Sequence, residues 1–151
     1  MGKIDQRLAE LGVVLPAAAK PVANYVPWVK TGNLVFIAGQ LPFNEGKVAF
    51  TGHVQAVDYG ASAARLCTIN ILSQLKDACD GDLDRVQRIV KLVGFVAADS
   101  QAVGIPQVMN GASDFMVEVF GERGRHARSS VGVSELPLNA TVEIEAIVEI
   151  A

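Results

Sequence analysis

The chain has 151 residues, half of them hydrophobic, and carries a formal net charge of −3 at pH 7. No apolar run approaches the ~18 residues that a membrane-spanning helix needs, and the acidic balance lacks the basic patch typical of nucleic-acid-binding proteins. The charged first residues are followed by no apolar segment of the kind found in signal peptides. We therefore expect a soluble, cytoplasmic protein with one domain over residues 1–151, and neither a membrane nor nucleic acid as its partner.

The hydrophobic periodicity predicts an α+β fold with a short first helix, two long helices and six strands. In chain order, these are a helix at 3–11, strands at 24–30, 33–38 and 46–50, a helix at 55–79, a strand at 88–98, a helix at 106–120, and strands at 128–136 and 141–150. Loops are predicted at 39–45 and 100–105. Two long helices can cover one face of such a sheet.

Two of the predicted strands are apolar at nearly every position, NLVFIA at 33–38 and IVKLVGFVA at 89–97. Continuous apolar strands are typical of sheets that are covered on both faces. The chain has no further long helix to cover the second face. We therefore expect a homo-oligomer that buries this face against other copies, most simply in a cyclic assembly.

The cysteines and histidines do not indicate a disulfide or a metal site. Cys67 and Cys79 lie twelve positions apart on one predicted helix, about 18 Å along its axis, which is beyond the reach of a disulfide. Cys67 falls on the apolar stripe and is expected to be a packed core thiol. His53 and His126 have no ligand-like spacing to the cysteines.

The densest polar segment is GERGRHAR at 121–128, which leads into a predicted strand. Arg128 begins that strand and should be partly buried, so its guanidinium needs a partner. One interpretation is a bidentate grip on a ligand carboxylate; the other is a structural salt bridge. Arg123 and Arg125 are more simply interpreted as solvated.

Three carboxylates alternate with apolar residues on the last predicted strand, at Glu143, Glu145 and Glu149. A solvated face is the ordinary interpretation. A face covered in an oligomer would carry three carboxylates only if some had a role, such as pairing with Arg128 or orienting water. Gly39 ends a buried strand, where it either forms a plain turn or lets the backbone approach a ligand closely.

Three segments together resemble the YjgF/Rid family, also known as L-PSP endoribonuclease-like proteins: VFIAGQLP at 35–42, HARSSV at 126–131, and LP at 136–137 leading into VEIEAI at 142–147. The resemblance covers nearly the whole chain. It implies a chorismate-mutase-like α+β fold, with a mixed sheet and two long helices packed on one face. It also implies a homotrimer with sites at the subunit interfaces and no cofactor or metal.

The family resemblance implies hydrolysis of reactive 2-enamine or 2-imine acids to 2-oxo acids and ammonia. On this basis Arg128 would hold the substrate carboxylate and Glu143 would position the attacking water. The substrate-binding residues implied are Tyr25, Gly39, Asn110, Arg128 and Ser130. The partner implied is a small anionic 2-imino or 2-oxo acid.

The chain departs from the common family pattern at several positions. Ala23-Asn24-Tyr25 stands where Gly-Pro-Tyr is usual, His126 replaces a proline, and Ser130 stands where many members have cysteine. The loop at 98–106 is longer, as in a divergent branch of the family, so the resemblance leaves the substrate open. A non-catalytic module that senses small carboxylates is the alternative. An endoribonuclease or translation inhibitor is less favoured, because the chain lacks a stripe of aromatic and basic residues.

Overall fold

The computed structural model describes residues 1–102 and 104–151, so Val103, in the loop predicted at 100–105, lies outside the described residues. The elements are α1 (Lys3–Glu10), β1 (Trp28–Thr31), β2 (Leu34–Gln40), β3 (Phe43–Asn44), β4 (Lys47–Val48), α2 (Val57–Ala78), β5 (Val86–Ala97), α3 (Ile105–Phe120), β6 (Ala127–Val133) and β7 (Val142–Ile150), with short 3₁₀ turns at Leu83–Arg85, Gly121–Gly124 and Pro137–Asn139. The two long helices predicted from the sequence are present with nearly the expected bounds.

The main sheet has the strand order β1-β2-β7-β5-β6. Strands β5 and β6 run parallel, whereas the other neighbours are antiparallel. The sheet is therefore mixed, as predicted, and the fold is the chorismate-mutase-like α+β fold.

The third predicted strand, at 46–50, is not part of this sheet. Residues 43–48 instead form a separate hairpin, in which Phe43 pairs with Val48 and Asn44 with Lys47. Glu45 and Gly46 both have positive φ, the combination that a tight two-residue hairpin turn requires. The main sheet consequently has five strands instead of about six.

Helices α2 and α3 pack side by side on one face of the sheet. Alternate strand residues that face them are fully buried, among them Val35, Leu92, Ile144 and Val148. Helix α3 begins after Gly104, which has φ +86, with a proline in its first turn. None of the described helices is both long and apolar enough to cross a membrane.

The other face of the sheet, here called the open face, carries the alternate set of side chains. Val29 and Phe36 are 51% and 41% exposed on it, and Val93, Phe95 and Ile147 are half-buried. Continuous apolar strands thus leave apolar side chains uncovered in a single chain. The expected cover by other copies remains a prediction.

Candidate functional site

Arg128 lies on β6 opposite Leu92 of β5, so it points to the helix-covered face. Its guanidinium is held by α3: Nη1 donates to Asn110 Oδ1 at 2.9 Å and to Ser113 Oγ at 3.3 Å, and Nη2 donates to the Pro106 carbonyl at 3.4 Å. These acceptors recur at helical spacing and share one face of α3. The structure therefore brings together two predicted site residues, Arg128 and Asn110.

The three acceptors around Arg128 are all neutral. Among the described residues, the ion pairs join Arg7 to Glu10, Lys76 to Asp5, Arg85 to Asp80 and Arg125 to Glu122. Arg128 takes part in none of them, so the structural salt bridge considered from the sequence is not formed within the described chain. The Nε–H and one Nη2–H have no partner there, which leaves donors for a bidentate carboxylate.

Behind Arg128 lies a contact that the sequence did not indicate, between Ser113 of α3 and His126. Ser113 Oγ lies 2.8 Å from His126 Nε2, and His126 Nδ1 lies 2.6 Å from the Gly124 carbonyl. Burial, and to a smaller extent Arg128, lowers the pKa of His126 below its ordinary value, against the opposing effect of the Gly124 hydrogen bond. The two residues lie on different elements, so no local motif links them.

Glu143 lies on β7 opposite Phe95, on the open face. Its side chain crosses Gly39: a Cβ at Gly39 would be 2.8 Å from both Cδ and Oε1 of Glu143. Between Ile37 and Gln40, β2 has one residue more than its partner strand, and this bulge re-aims the backbone at Gly39. The absence of a side chain at Gly39 therefore lets the Glu143 carboxylate lie directly against the backbone, which a plain turn would not require.

The Glu143 carboxyl is half-buried. Burial, and secondly the charge of Glu145, raises its pKa above the ordinary value for glutamic acid. Glu145 is exposed on the same face. A higher pKa makes the ionised Glu143 carboxylate a stronger base towards water.

Glu143 and Gly39 line a cavity of about 130 Å³ together with Tyr25, which is 60% exposed. Lys20 and Pro137 also line it. The predicted residues Tyr25, Gly39 and Glu143 thus meet in one place. Lys20 was missed by the sequence reasoning because it lies in an irregular segment, where no periodicity assigns it a direction.

Within one chain the two groups of predicted residues do not meet. Leu92 and Phe95 are an odd number of residues apart on β5, so their partners Arg128 and Glu143 point to opposite faces. Gly39 on β2 is separated from β6 by two intervening strands, a lateral distance of about 14 Å.

Ser130 is the last of the predicted site residues. It pairs with Gly94 in the parallel ladder and points, like Arg128 two residues earlier, to the helix-covered face. Its hydroxyl oxygen is buried and has no hydrogen-bond partner among the described residues. The structure thus places Ser130 on the Arg128 side of the sheet.

Residues 5–150 match the model of the YjgF/chorismate mutase-like endoribonuclease family. The chain belongs to this family.

A crystal structure of a protein of unknown function from Agrobacterium tumefaciens superposes with a TM-score of 0.92 at 50% identity, covering 98% of this chain and 92% of that one. Protein TCP17 of Trypanosoma cruzi is 46% identical over 153 residues, 99% of this chain and 95% of the relative. The 2-iminobutanoate/2-iminopropanoate deaminase of Dermatophagoides farinae is 30% identical over 135 residues, 89% of this chain and 92% of the relative.

Proposed function

We propose that this protein hydrolyses small 2-imine acids, and the 2-enamine acids from which they form, to 2-oxo acids and ammonia. The observation that carries the proposal is Arg128, an ordered guanidinium with three neutral acceptors and no acidic partner among the described residues. The relative from Dermatophagoides farinae is named for this chemistry. No cofactor enters the proposed reaction.

Arg128 would bind the substrate carboxylate through its remaining donors. The imine carbon next to that carboxylate is already electrophilic, so catalysis consists mainly of orientation and proton transfer. Glu143 would accept a proton from water as the oxygen attacks the imine carbon. The imine nitrogen takes a proton from solvent as the oxygen adds, which gives a carbinolamine. Glu143 then returns its proton to the amine nitrogen; the C–N bond breaks to release ammonia, and the hydroxyl proton is lost to solvent as the C=O forms. An enamine would first take a proton on carbon.

The site would be assembled from two copies of the chain. The carboxylate and the reacting carbon of a 2-imino acid are directly bonded, whereas Arg128 and Glu143 of one chain point to opposite faces of the sheet. If the β6 edge of one copy met the open face of the next, one subunit would supply Arg128 and Asn110 and its neighbour would supply Glu143, Gly39 and Tyr25. A cyclic homotrimer would hold three such sites.

The first test measures ammonia and 2-oxo acid release from freshly generated 2-aminoacrylate. We expect wild-type protein to accelerate release, and Arg128→Ala to lower kcat/KM at least about tenfold, since each hydrogen bond to a charged group contributes about 1.5–3 kcal/mol. Arg125→Ala is the matched control, because this nearby arginine is exposed and paired with Glu122. Wild-type release at the spontaneous rate would refute the proposed enzyme.

The role of Glu143 is tested by Glu143→Gln, which keeps the shape of the side chain but removes the base. We expect turnover to fall by about 10²–10⁴-fold while 2-oxobutyrate still binds. Wild-type protein that binds 2-oxobutyrate without turning over 2-aminoacrylate would instead identify a carboxylate-sensing module.

The shared site is tested by mixing Arg128→Ala with Glu143→Gln after reversible dissociation. In a cyclic oligomer an active site forms wherever the Arg128-bearing copy meets the Glu143-bearing copy in the required order. Random mixing of equal amounts would restore about a quarter of the wild-type sites. A site within one chain would give no recovery.

A further inference from the structure

We infer that His126 is a positioning residue for the anion site, acting through the Ser113 hydroxyl to hold the Arg128 guanidinium in place for a 2-oxo or 2-imino carboxylate. The inference rests on the proposed function only for the identity of the ligand. Its basis is a continuous chain of hydrogen bonds from Gly124 through His126 and Ser113 to Arg128.

The chain has a fixed starting point. A Cβ on Gly124 would overlap the Met116 carbonyl of α3, so the 3₁₀ turn at Gly121–Gly124 lies directly against that helix. A carbonyl oxygen only accepts hydrogen bonds, so the Gly124 carbonyl selects the neutral His126 tautomer with the proton on Nδ1. Burial lowers the pKa of His126, which favours this neutral form over the charged one.

The tautomer then determines how Ser113 is used. With the proton on Nδ1, Nε2 of His126 accepts the hydroxyl proton of Ser113 across 2.8 Å. A hydroxyl has one proton and two lone pairs, so a lone pair remains for Nη1 of Arg128. Without an acceptor at His126, the Ser113 hydroxyl is free to rotate or to bond to the backbone one turn earlier.

The geometry around Arg128 predicts that loss of His126 weakens ligand binding without abolishing it. The Ser113–Arg128 hydrogen bond is 3.3 Å long, whereas the Asn110–Arg128 bond is 2.9 Å. Loss of His126 would therefore loosen the guanidinium and leave it attached to Asn110. We expect 2-oxobutyrate to bind about fivefold more weakly to His126→Ala, a factor that corresponds to one ordinary hydrogen bond.

The experiment measures 2-oxobutyrate binding by calorimetry for the assembled wild-type protein, His126→Ala, Ser113→Ala and the double variant. If His126 acts through Ser113, both single variants weaken binding and the double variant binds as Ser113→Ala does. His126→Gln should restore most of the affinity, because its amide oxygen can accept from Ser113. His53→Ala is the matched control, since this exposed ring contacts the Ser134 carbonyl.

Two results would overturn the inference. One is a folded His126→Ala that binds as wild type does. The other is a double variant whose loss is the product of the single losses, as expected for independent structural damage. If His126→Ala fails to fold, Ser113→Ala and His126→Gln supply the same comparison. ¹⁵N NMR then follows the His126 ring: Ser113→Ala should shift the Nε2 resonance, which loses its hydrogen bond, while the proton stays on Nδ1 beside the Gly124 carbonyl.

The outcomes also separate this inference from the proposed reaction. Wild-type binding of 2-oxobutyrate without turnover of 2-aminoacrylate would refute the proposed enzyme. The binding comparison among the His126 and Ser113 variants would still decide the role of His126. Turnover with no difference among the Ser113 and His126 variants would refute the positioning role alone. No binding of 2-oxobutyrate by wild-type protein would refute the anion site and this inference with it.

Discussion

Replacing Gly39 by alanine tests whether the position of the Glu143 carboxylate matters for turnover. The three heavy atoms nearest to a Cβ at Gly39 all belong to Glu143: Cδ and Oε1 at 2.8 Å and Cγ at 2.9 Å. Gly39 is not among the glycines with positive φ, so alanine introduces no backbone strain. The substitution therefore acts by pushing one side chain aside.

The displacement can be worked out from these contacts. Nonbonded carbon atoms pack at about 3.5–4.0 Å, so the carboxylate must retreat by about 0.7–1.2 Å. A misplacement of about 1 Å at a reacting group can cost about 10²-fold in rate. We expect kcat to fall by about 10- to 100-fold, while the free energy of unfolding changes by less than about 1 kcal/mol, since the end of a flexible side chain can move.

The assay compares 2-aminoacrylate turnover and 2-oxobutyrate binding for Gly39→Ala in two backgrounds. In wild type, turnover should fall while binding at the carboxylate end persists. In Glu143→Ala, the obstructing atoms are gone and Gly39→Ala should have no further effect on either quantity. Unchanged kcat in the wild-type background, or a further loss of binding in Glu143→Ala, would refute the reasoning, the latter by showing that the new methyl group acts on the ligand.

Three further predictions concern the same sheet and its helices. Glu145→Gln removes the charge that helps to raise the pKa of Glu143. The pH at which kcat/KM falls on the acid side should therefore move lower, whereas the control Glu149→Gln should not change that pH. Equal shifts in the two variants would contradict this prediction. Phe36→Asp on the open face should leave the chain folded but dissociate the oligomer, so that sedimentation gives a smaller molecular mass. An unchanged mass would count against an interface on the open face. Gly111→Ala would press a methyl group into the backbone of α2 and should lower the free energy of unfolding by about 1–3 kcal/mol; an unchanged urea midpoint would contradict the close helix contact.

Periodicity predicted the long elements where one face is buried. Helix α3 and strand β7 show buried residues at the spacing of their element, and so does the first half of α2, whereas residues 70–75 of α2 are buried at every position. The errors occurred where the pattern was short or ambiguous. Strand β1 begins at Trp28 and not at residue 24, after Pro27, which has no backbone N–H for a ladder.

The hairpin at 43–48 shows a second limit. Its two strands have two residues each, too few to display an alternation. A positive φ at Glu45 depends on tertiary context, because non-glycine residues adopt it only rarely. No signal in residues 46–50 could distinguish a sixth strand of the main sheet from one arm of a separate turn.

The candidate site was only partly predictable for a related reason. The resemblance named Arg128 and Asn110, and the structure joins them by a hydrogen bond. Strand β6 lies at the sheet edge with alternating half-buried and exposed residues, so its pattern did not say which face Arg128 occupies. The Ser113–His126 contact joins a helix to the segment before a strand, and no spacing rule connects them.

Two unusual features of one chain have a common explanation in the proposed assembly. Arg128 is held by neutral groups and has no acidic partner among the described residues, and the open face presents apolar side chains beside the half-buried Glu143. A second copy whose β6 edge met the open face would cover apolar residues there and bring its Arg128 near the Glu143 cavity. The same contact would exclude water, which strengthens the attraction between the guanidinium and a carboxylate. Assembly and anion affinity should therefore weaken together when the open face is disrupted, even though Phe36 lies on β2 and Arg128 on the far edge strand.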